Sequence, residues 1–245
     1  MVKRLLKWTL AAAAVGFAAI AYLFLSLPDV RPLRKENPRT TAFMELRARE
    51  ADQAGKKPRK VQQWVAYERI SPSLKRAVIV AEDAAFFSHE GVDLAELEKS
   101  FEDSWQKGKR MRGGSTITQQ LAKNLYLSPS RNPVRKLEEL LIARRLEAEL
   151  SKRRILELYL NVIEWGDGIW GAEAAARSYF QKPASALGAD ESALLAAAII
   201  NPRRYSPARP SKYLLRRQDL IRQRMGDVEP PPVVAGAAAG PGGLP

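Results

Sequence analysis

Between Lys7 and Asp29 the chain carries no charged side chain. The core of that interval, Trp8 to Leu27, reads WTLAAAAVGFAAIAYLFLSL. A helix of that length crosses roughly 30 Å of hydrocarbon at 1.5 Å per residue. Lys3, Arg4 and Lys7 stand before it, which predicts a cytoplasmic N-terminus and the rest of the chain on the outer face. Ala19-Ile20-Ala21 resembles a signal-peptidase site, the rival reading. The apolar run continues through Tyr22, Leu23, Phe24 and Leu25, longer than a signal core, so an uncleaved single-pass anchor is expected.

Four segments follow from composition and periodicity. Residues 1–27 are the basic tip and anchor, and 28–60 a membrane-proximal linker rich in Pro, Arg and Lys with one helix near Thr41–Ala54. Residues 61–226 form one domain of catalytic size, and 227–245 a Pro/Gly/Ala tail with too little apolar bulk to pack. The domain is helical nearly throughout by its apolar spacing. Ser71-Pro72 opens one helix, and Leu94, Leu97, Phe101 and Trp105 mark another. Leu137–Leu150 and Ile155–Ile163 are leucine-rich, with Ile155, Leu158, Tyr159 and Val162 expected in the core. Asp190 is expected to cap ESALLAAAII, which stops at Asn201-Pro202. Alternating runs are scarce, so any sheet is small.

The formal charge is +13, from 40 Lys and Arg against 27 Asp and Glu, which calls for an anionic partner. Nucleic acid, acidic lipid and a phosphorylated substrate all qualify, but the expected topology removes the domain from cytoplasmic nucleic acid. There is no cysteine and one histidine, His89. Disulfides and thiol catalysis are excluded, and a histidine-rich metal site or a Ser-His-Asp triad is disfavoured. His89 is expected to be a structural hydrogen-bonding residue.

Three segments carry polar side chains beyond what packing needs. In GGSTITQQLAKN, Gly113 to Asn124, a helix starts at Ser115/Thr116 and a Thr116–Gln119 capping box fits. Ile117, Leu121 and Leu125 form its buried face. Thr116, Gln120 and Lys123 share another face, beside a helix N-terminus and the backbone N–H groups of Gly114 and its neighbour, an arrangement suited to phosphate. An ordinary capped helix with a solvated polar face reads equally well. In AEDAAFFSHEG, Ala81 to Gly91, Glu82 and Asp83 fall where the Pro72 helix ends. The negative helix end and desolvation by Phe86 and Phe87 both favour the protonated acid, the condition a general base near neutral pH needs. A solvated acidic pair in a loop is the bland alternative. In RKLEE, Arg135 to Glu139, the cations reach Glu139 at i,i+4 and i,i+3. These are either surface salt bridges or an anion-binding pair that Glu139 orients. The basic run QKGKRMR, Gln106 to Arg112, beside Trp105, suits an acidic membrane surface or a flexible loop.

In order and spacing, EDAAFFSHEG, GGSTITQQLAKN, RKLEE, KRRILELYLN and ESALLAAAIINPRRYSP resemble the five motifs of the peptidoglycan glycosyltransferases, glycosyltransferase family 51. The resemblance covers about Trp64 to Pro207, and EWGDGIWGAEAAARSYFQK also fits it. With one anchor and no downstream penicillin-binding domain, the chain looks like the monofunctional form. The resemblance implies a mainly α, lysozyme-like, two-lobed glycosyltransferase domain preceded by one transmembrane helix. It implies polymerisation of lipid II by inverting transfer onto a sugar C4 hydroxyl, with undecaprenyl pyrophosphate released.

By the same resemblance Glu82 is the catalytic base, and Asp83, Phe86 and His89 belong to the first motif. Gly114, Ser115, Thr116, Gln120 and Lys123 bind substrate, Arg135 and Lys136 hold pyrophosphate, and Glu139 assists. No cofactor is certain, and a divalent cation, Mg or Mn, beside Glu139 stays open. The implied partners are lipid II, the growing glycan, the inner membrane and other cell-wall synthase or division proteins, with no nucleic acid. A lytic enzyme acting on glycan strands and a non-catalytic scaffold are the alternatives. Paired cations around a carboxylate fit a pyrophosphate donor better than a neutral glycan.

Overall fold

The computed structural model describes residues 2–94, 98, 102, 114–128 and 132–227. The chain is mainly helical and divides into two compact units, one within 1–46 and 89–151, the other within 47–88 and 152–245. The helix expected around Leu97, Phe101 and Trp105, the QKGKRMR run and almost all of the 227–245 tail lie outside the described residues.

The first unit begins with α1, Val2–Ser26. Its window Leu6–Leu23 is long and apolar enough to cross a membrane, and none of it is buried. Trp8, Phe17, Tyr22 and Leu25 all present their side chains outward, so α1 is not a core helix of this unit. The linker holds a 3₁₀ turn, Arg31–Arg34, and α2, Ala42–Gln53, whose C-terminal part belongs to the second unit. Thr41 caps α2 by accepting the Met44 N–H at 3.2 Å.

Among the described residues this unit also holds α4, Ile117–Tyr126, and α5, Pro133–Glu149, packed on each other; α3, Pro72–Glu82, precedes them in the chain and belongs to the second unit. Ile117, Leu121 and Leu125 of α4 are buried, as their four-residue spacing predicts, with Ile142, Ala143 and Leu146 of α5. Asn132 caps α5 by accepting the Val134 N–H at 2.9 Å. Arg34 donates to the Glu149 carbonyl at 3.0 Å, and Arg145 to those of Leu27 and Pro28 at 3.2 and 3.4 Å. These bonds tie the linker to the C-terminal half of α5.

In the second unit α3, Pro72–Glu82, starts as the sequence predicts: the Ser71 hydroxyl accepts the Ser73 N–H and Pro72 stands in the first turn. The other helices are α6, Lys152–Val162, α7, Ala172–Phe180, α8, Ala189–Ala198, and α9, Lys212–Arg224. α8 packs on both α3 and α9. Ile155, Leu158, Tyr159 and Val162 are fully buried, the core face expected of α6.

The sheet is small. β1, Val61–Gln62, runs parallel to β3, Ile169–Trp170, with Val61 opposite Ile169; β2, Glu164–Gly166, pairs antiparallel with β3. Asn161 clamps the approach to β1: its side chain accepts the Val65 N–H and donates to the Val65 and Glu157 carbonyls, all within 2.8–2.9 Å. Gly171, at φ +82°, starts α7 with its α-carbon so near the Asn161 carbonyl that a Cβ would sit 2.7 Å from that oxygen.

Asp190 is not the cap of α8. The helix begins two residues earlier than the expected Glu191, at Ala189, with Gly188 as N-cap, and the Glu191 carboxylate accepts the Gly188 N–H at 2.9 Å. A carboxylate three residues inside a helix reaches back to the cap; Asp190 turns instead to Arg222, at 2.8 Å.

Candidate active site

In the second unit the proposed base stands at the end of α3. Glu82 is its last residue, and Asp83, the C-cap, donates its N–H to the Ile79 carbonyl at 2.8 Å. Asp83 is buried and the Glu82 side chain is only 12% exposed. Phe86 is fully buried, its N–H bonded to the Asp83 carbonyl, with Phe87 edge-on at 5.0 Å between centroids. Phe87 is partly exposed. Lys152 lies over the Phe86 ring at 4.6 Å. From α6, the Tyr159 hydroxyl is pushed well above its ordinary range by burial and then by the negative charges of Glu82 and Asp83.

A cation that the motif reading did not single out opposes the negative end of α3. The Arg217 guanidinium, on α9, lies 3.5 Å from Glu82 Oε1 and 3.5 Å from the Ala81 carbonyl. Its separation of 135 residues from Glu82 hid it: in the sequence it is one of several cations on the amphipathic stretch Lys212–Arg224.

In the first unit the cations gather on one buried carboxylate. Glu139, one turn into α5, is 4% exposed at its side chain; Oε2 takes Arg135 at 2.8 Å and Oε1 takes Lys136 at 2.5 Å. Lys136 also donates to Gln119 Oε1 at 3.0 Å, with Ser115 Oγ at 3.5 Å. Gln119 was expected only as a capping partner. Instead its amide links Lys136 to the Gly91 carbonyl, which it meets at 3.2 Å. The capping box is thus half formed: Thr116 accepts the Gln119 N–H, but the Gln119 side chain goes elsewhere.

Thr116 departs from its expected exposure. It is buried, and its hydroxyl donates to the Gly91 carbonyl at 2.7 Å, so it fixes the 89–91 turn onto α4 rather than lying open beside Gln120 and Lys123. His89 behaves as the structural residue expected, accepting the Gly91 N–H on Nδ1 at 3.1 Å. Gln120 donates to the Ser115 carbonyl at 3.4 Å and Lys123 lies 5.8 Å from the centre of the Phe43 ring. Gly114 enters this turn at φ +88°, a conformation that favours glycine.

The structure carries a test of the divalent cation as well. Both oxygens of Glu139 are engaged by cations, and among the described residues no group of three or more His, Asp or Glu side chains converges to hold a metal. A hard divalent ion needs several oxygen donors with net negative charge; the donor set at Glu139 does not fit one.

The transglycosylase family model matches residues 49–226, the span holding both carboxylates and the cation cluster. The chain belongs to the transglycosylase family. A biosynthetic peptidoglycan transglycosylase of Laribacter hongkongensis is 47% identical over 232 residues, 93% of this chain and 100% of the relative. Proteins of the same description from Methylobacillus flagellatus and Chromobacterium violaceum are 51% identical over 197 residues and 47% identical over 219. The first alignment covers 80% of this chain and 86% of the relative, the second 89% and 96%.

Proposed function

We propose that this chain polymerises lipid II into β-1,4-linked glycan on the outer face of the membrane, anchored there by α1, with its N-terminus inside. Its family and its relatives make it a peptidoglycan glycosyltransferase of cell-wall synthesis. The finer reading assigns roles to the residues. Glu82 takes the proton from the C4 hydroxyl of the acceptor sugar. The resulting oxygen attacks the anomeric carbon of the growing chain from the side opposite its lipid pyrophosphate. The C–O bond to pyrophosphate breaks, the electron pair leaves with it, and the configuration inverts in one displacement, so no covalent enzyme intermediate is required.

The observation that carries this reading is the Arg135–Glu139–Lys136 cluster. Fixed positive charge is effective where a leaving group's charge develops, because it needs no reorganisation at the moment of reaction. The cluster has that character: Glu139 holds two cations on the first turns of α5, and Lys136 remains 43% exposed, where an anion can reach it. Lys123 adds a third cation from α4. Asp83 and Phe86 shape the end of α3, and His89, Gly114, Ser115, Thr116 and Gln120 shape the turn before α4. These residues support the substrate-binding elements of their own unit.

Polymerisation of purified lipid II tests the assignment. Glu82→Gln keeps size and hydrogen bonding but cannot take a proton, and losing a general base costs about 10²- to 10⁴-fold. Turnover is expected to collapse while lipid II still binds. Lys136→Ala is expected to lower both binding and turnover, with Lys136→Arg restoring part of each. A Glu82→Gln enzyme at near wild-type rate beside an inactive Glu139→Gln enzyme would show that the base is the other carboxylate.

A further inference from the structure

Arg217 is unusual among the cations of α9. Lys212, Arg216, Arg222 and Arg224 share its helix, but Arg217 turns inward. Its side chain is 26% exposed against 12% for Glu82, its Nη2 lies 3.5 Å from both Glu82 Oε1 and the Ala81 carbonyl, and its Nε is buried without a hydrogen-bond partner. A helix C-terminus presents unsatisfied carbonyls and partial negative charge. A carboxylate on the last residue adds to that charge. One guanidinium nitrogen, Nη2, answers both.

We infer that Arg217 is a positioning residue of the glycosyl transfer: it holds Glu82 as an oriented carboxylate, ready to accept the proton of the acceptor hydroxyl. The inference rests on the reading of Glu82 as base. Without Arg217 the carboxylate at the end of α3 loses the contact that orients it. The groups that bear on Glu82 come from each element around it. Asp83 follows on its own helix, and the Tyr159 hydroxyl belongs to α6. Along α3, α8 offers Ser192 and then only apolar side chains from Ala193 to Ala198, its acidic Asp190 and Glu191 standing in the first turn. Arg217 from α9 supplies a positive charge 3.5 Å from Glu82, and Lys152 of α6 stands over the neighbouring Phe86 ring.

The test is the pH profile of kcat/KM for lipid II polymerisation by the full chain in detergent or bilayers. A cation within a few ångströms of a carboxylate lowers its pKa by about 1–3 units, so removing it moves the acid limb upward. For Arg217→Gln and Arg217→Met the limb is expected to rise by about 1 unit or more. kcat at neutral pH should fall with it, and KM should stay near wild type because Arg217 acts through Glu82. Arg217→Lys should return the limb toward its original position while recovering only part of kcat. Unmoved limbs in folded Gln and Met variants overturn the inference. So does failure of both to fold, since a charge that only holds a carboxylate is dispensable to folding. Failure of the underlying reading looks different: Glu82→Gln would then polymerise lipid II at near wild-type rate, whatever the Arg217 variants do.

Discussion

Replacing Glu139 by alanine should destabilise the protein by about 3 kcal/mol, the range expected when one partner of a buried ion pair is removed. The two arms of the cluster do not share that loss equally. By distance alone Lys136 would lead, at 2.5 Å against 2.8 Å for Arg135. Exposure reverses the order. Lys136 is 43% exposed and Arg135 15%; a solvated ammonium recovers water when its partner goes, so its arm contributes less than about 1 kcal/mol. The Arg135 arm is a charge-assisted bond in a largely buried setting, about 1.5–3 kcal/mol. Glu139→Gln keeps an acceptor for one arm, so it should cost about half as much as alanine. For a domain of this size 1 kcal/mol moves Tm by about 2–4 °C, and alanine should lower it by about 6–12 °C. Urea unfolding of the full chain in detergent gives the energies. Double-mutant cycles pairing Glu139→Gln with Arg135→Met and with Lys136→Met give the two couplings. An alanine cost under about 0.5 kcal/mol, or a Lys136 coupling larger than that of Arg135, would refute the reasoning from burial.

Two other expectations reach different parts of the chain. Asn161→Ala strands the Val65 amide and carbonyl in a buried site and should cost about 3 kcal/mol in thermal unfolding; Asn161→Asp should be worse at pH 8 than at pH 5, because an ionised carboxylate cannot donate to the Val65 carbonyl. A reporter fused after Pro245 should be active only outside the cytoplasmic membrane; cytoplasmic activity would contradict both the orientation and the proposed reaction.

Local rules recovered what local physics decides. Ser71 and Pro72 start α3, Thr116 caps α4, and the spacing of Ile117, Leu121 and Leu125 gives the buried face. Arg135 and Lys136 meet Glu139 because residues three and four apart share a helix face. What the pattern did not reveal involves partners far apart in sequence, or competition between near-equal ones. Gln119 looked like a cap residue because nothing in its neighbourhood announces Lys136, 17 residues on. Thr116 looked like an open hydroxyl because the Gly91 carbonyl that takes it is 25 residues back. Asp190 and Glu191 both suit a helix start, and the choice turned on Gly188 accepting the extended cap conformation. Arg217 sat in a basic helix whose other cations are ordinary surface charges.

Glu82 and Glu139 show how the same side chain is divided between two tasks. A carboxylate that accepts charge-assisted bonds on both oxygens, as Glu139 does at 2.8 and 2.5 Å, has its lone pairs committed to cations. Taking a proton there would break at least one of those bonds, so it is a poor base and a good anchor for cations. Glu82 has a looser cation contact, 3.5 Å from Arg217, which leaves less to break when a proton arrives. The distinction comes from the partners each helix brings, not from the carboxylate. On the proposed assignment the two substitutions separate: neutralising Glu139 is expected to act first on stability and on the placement of Arg135 and Lys136, and neutralising Glu82 on proton transfer in a protein that still folds.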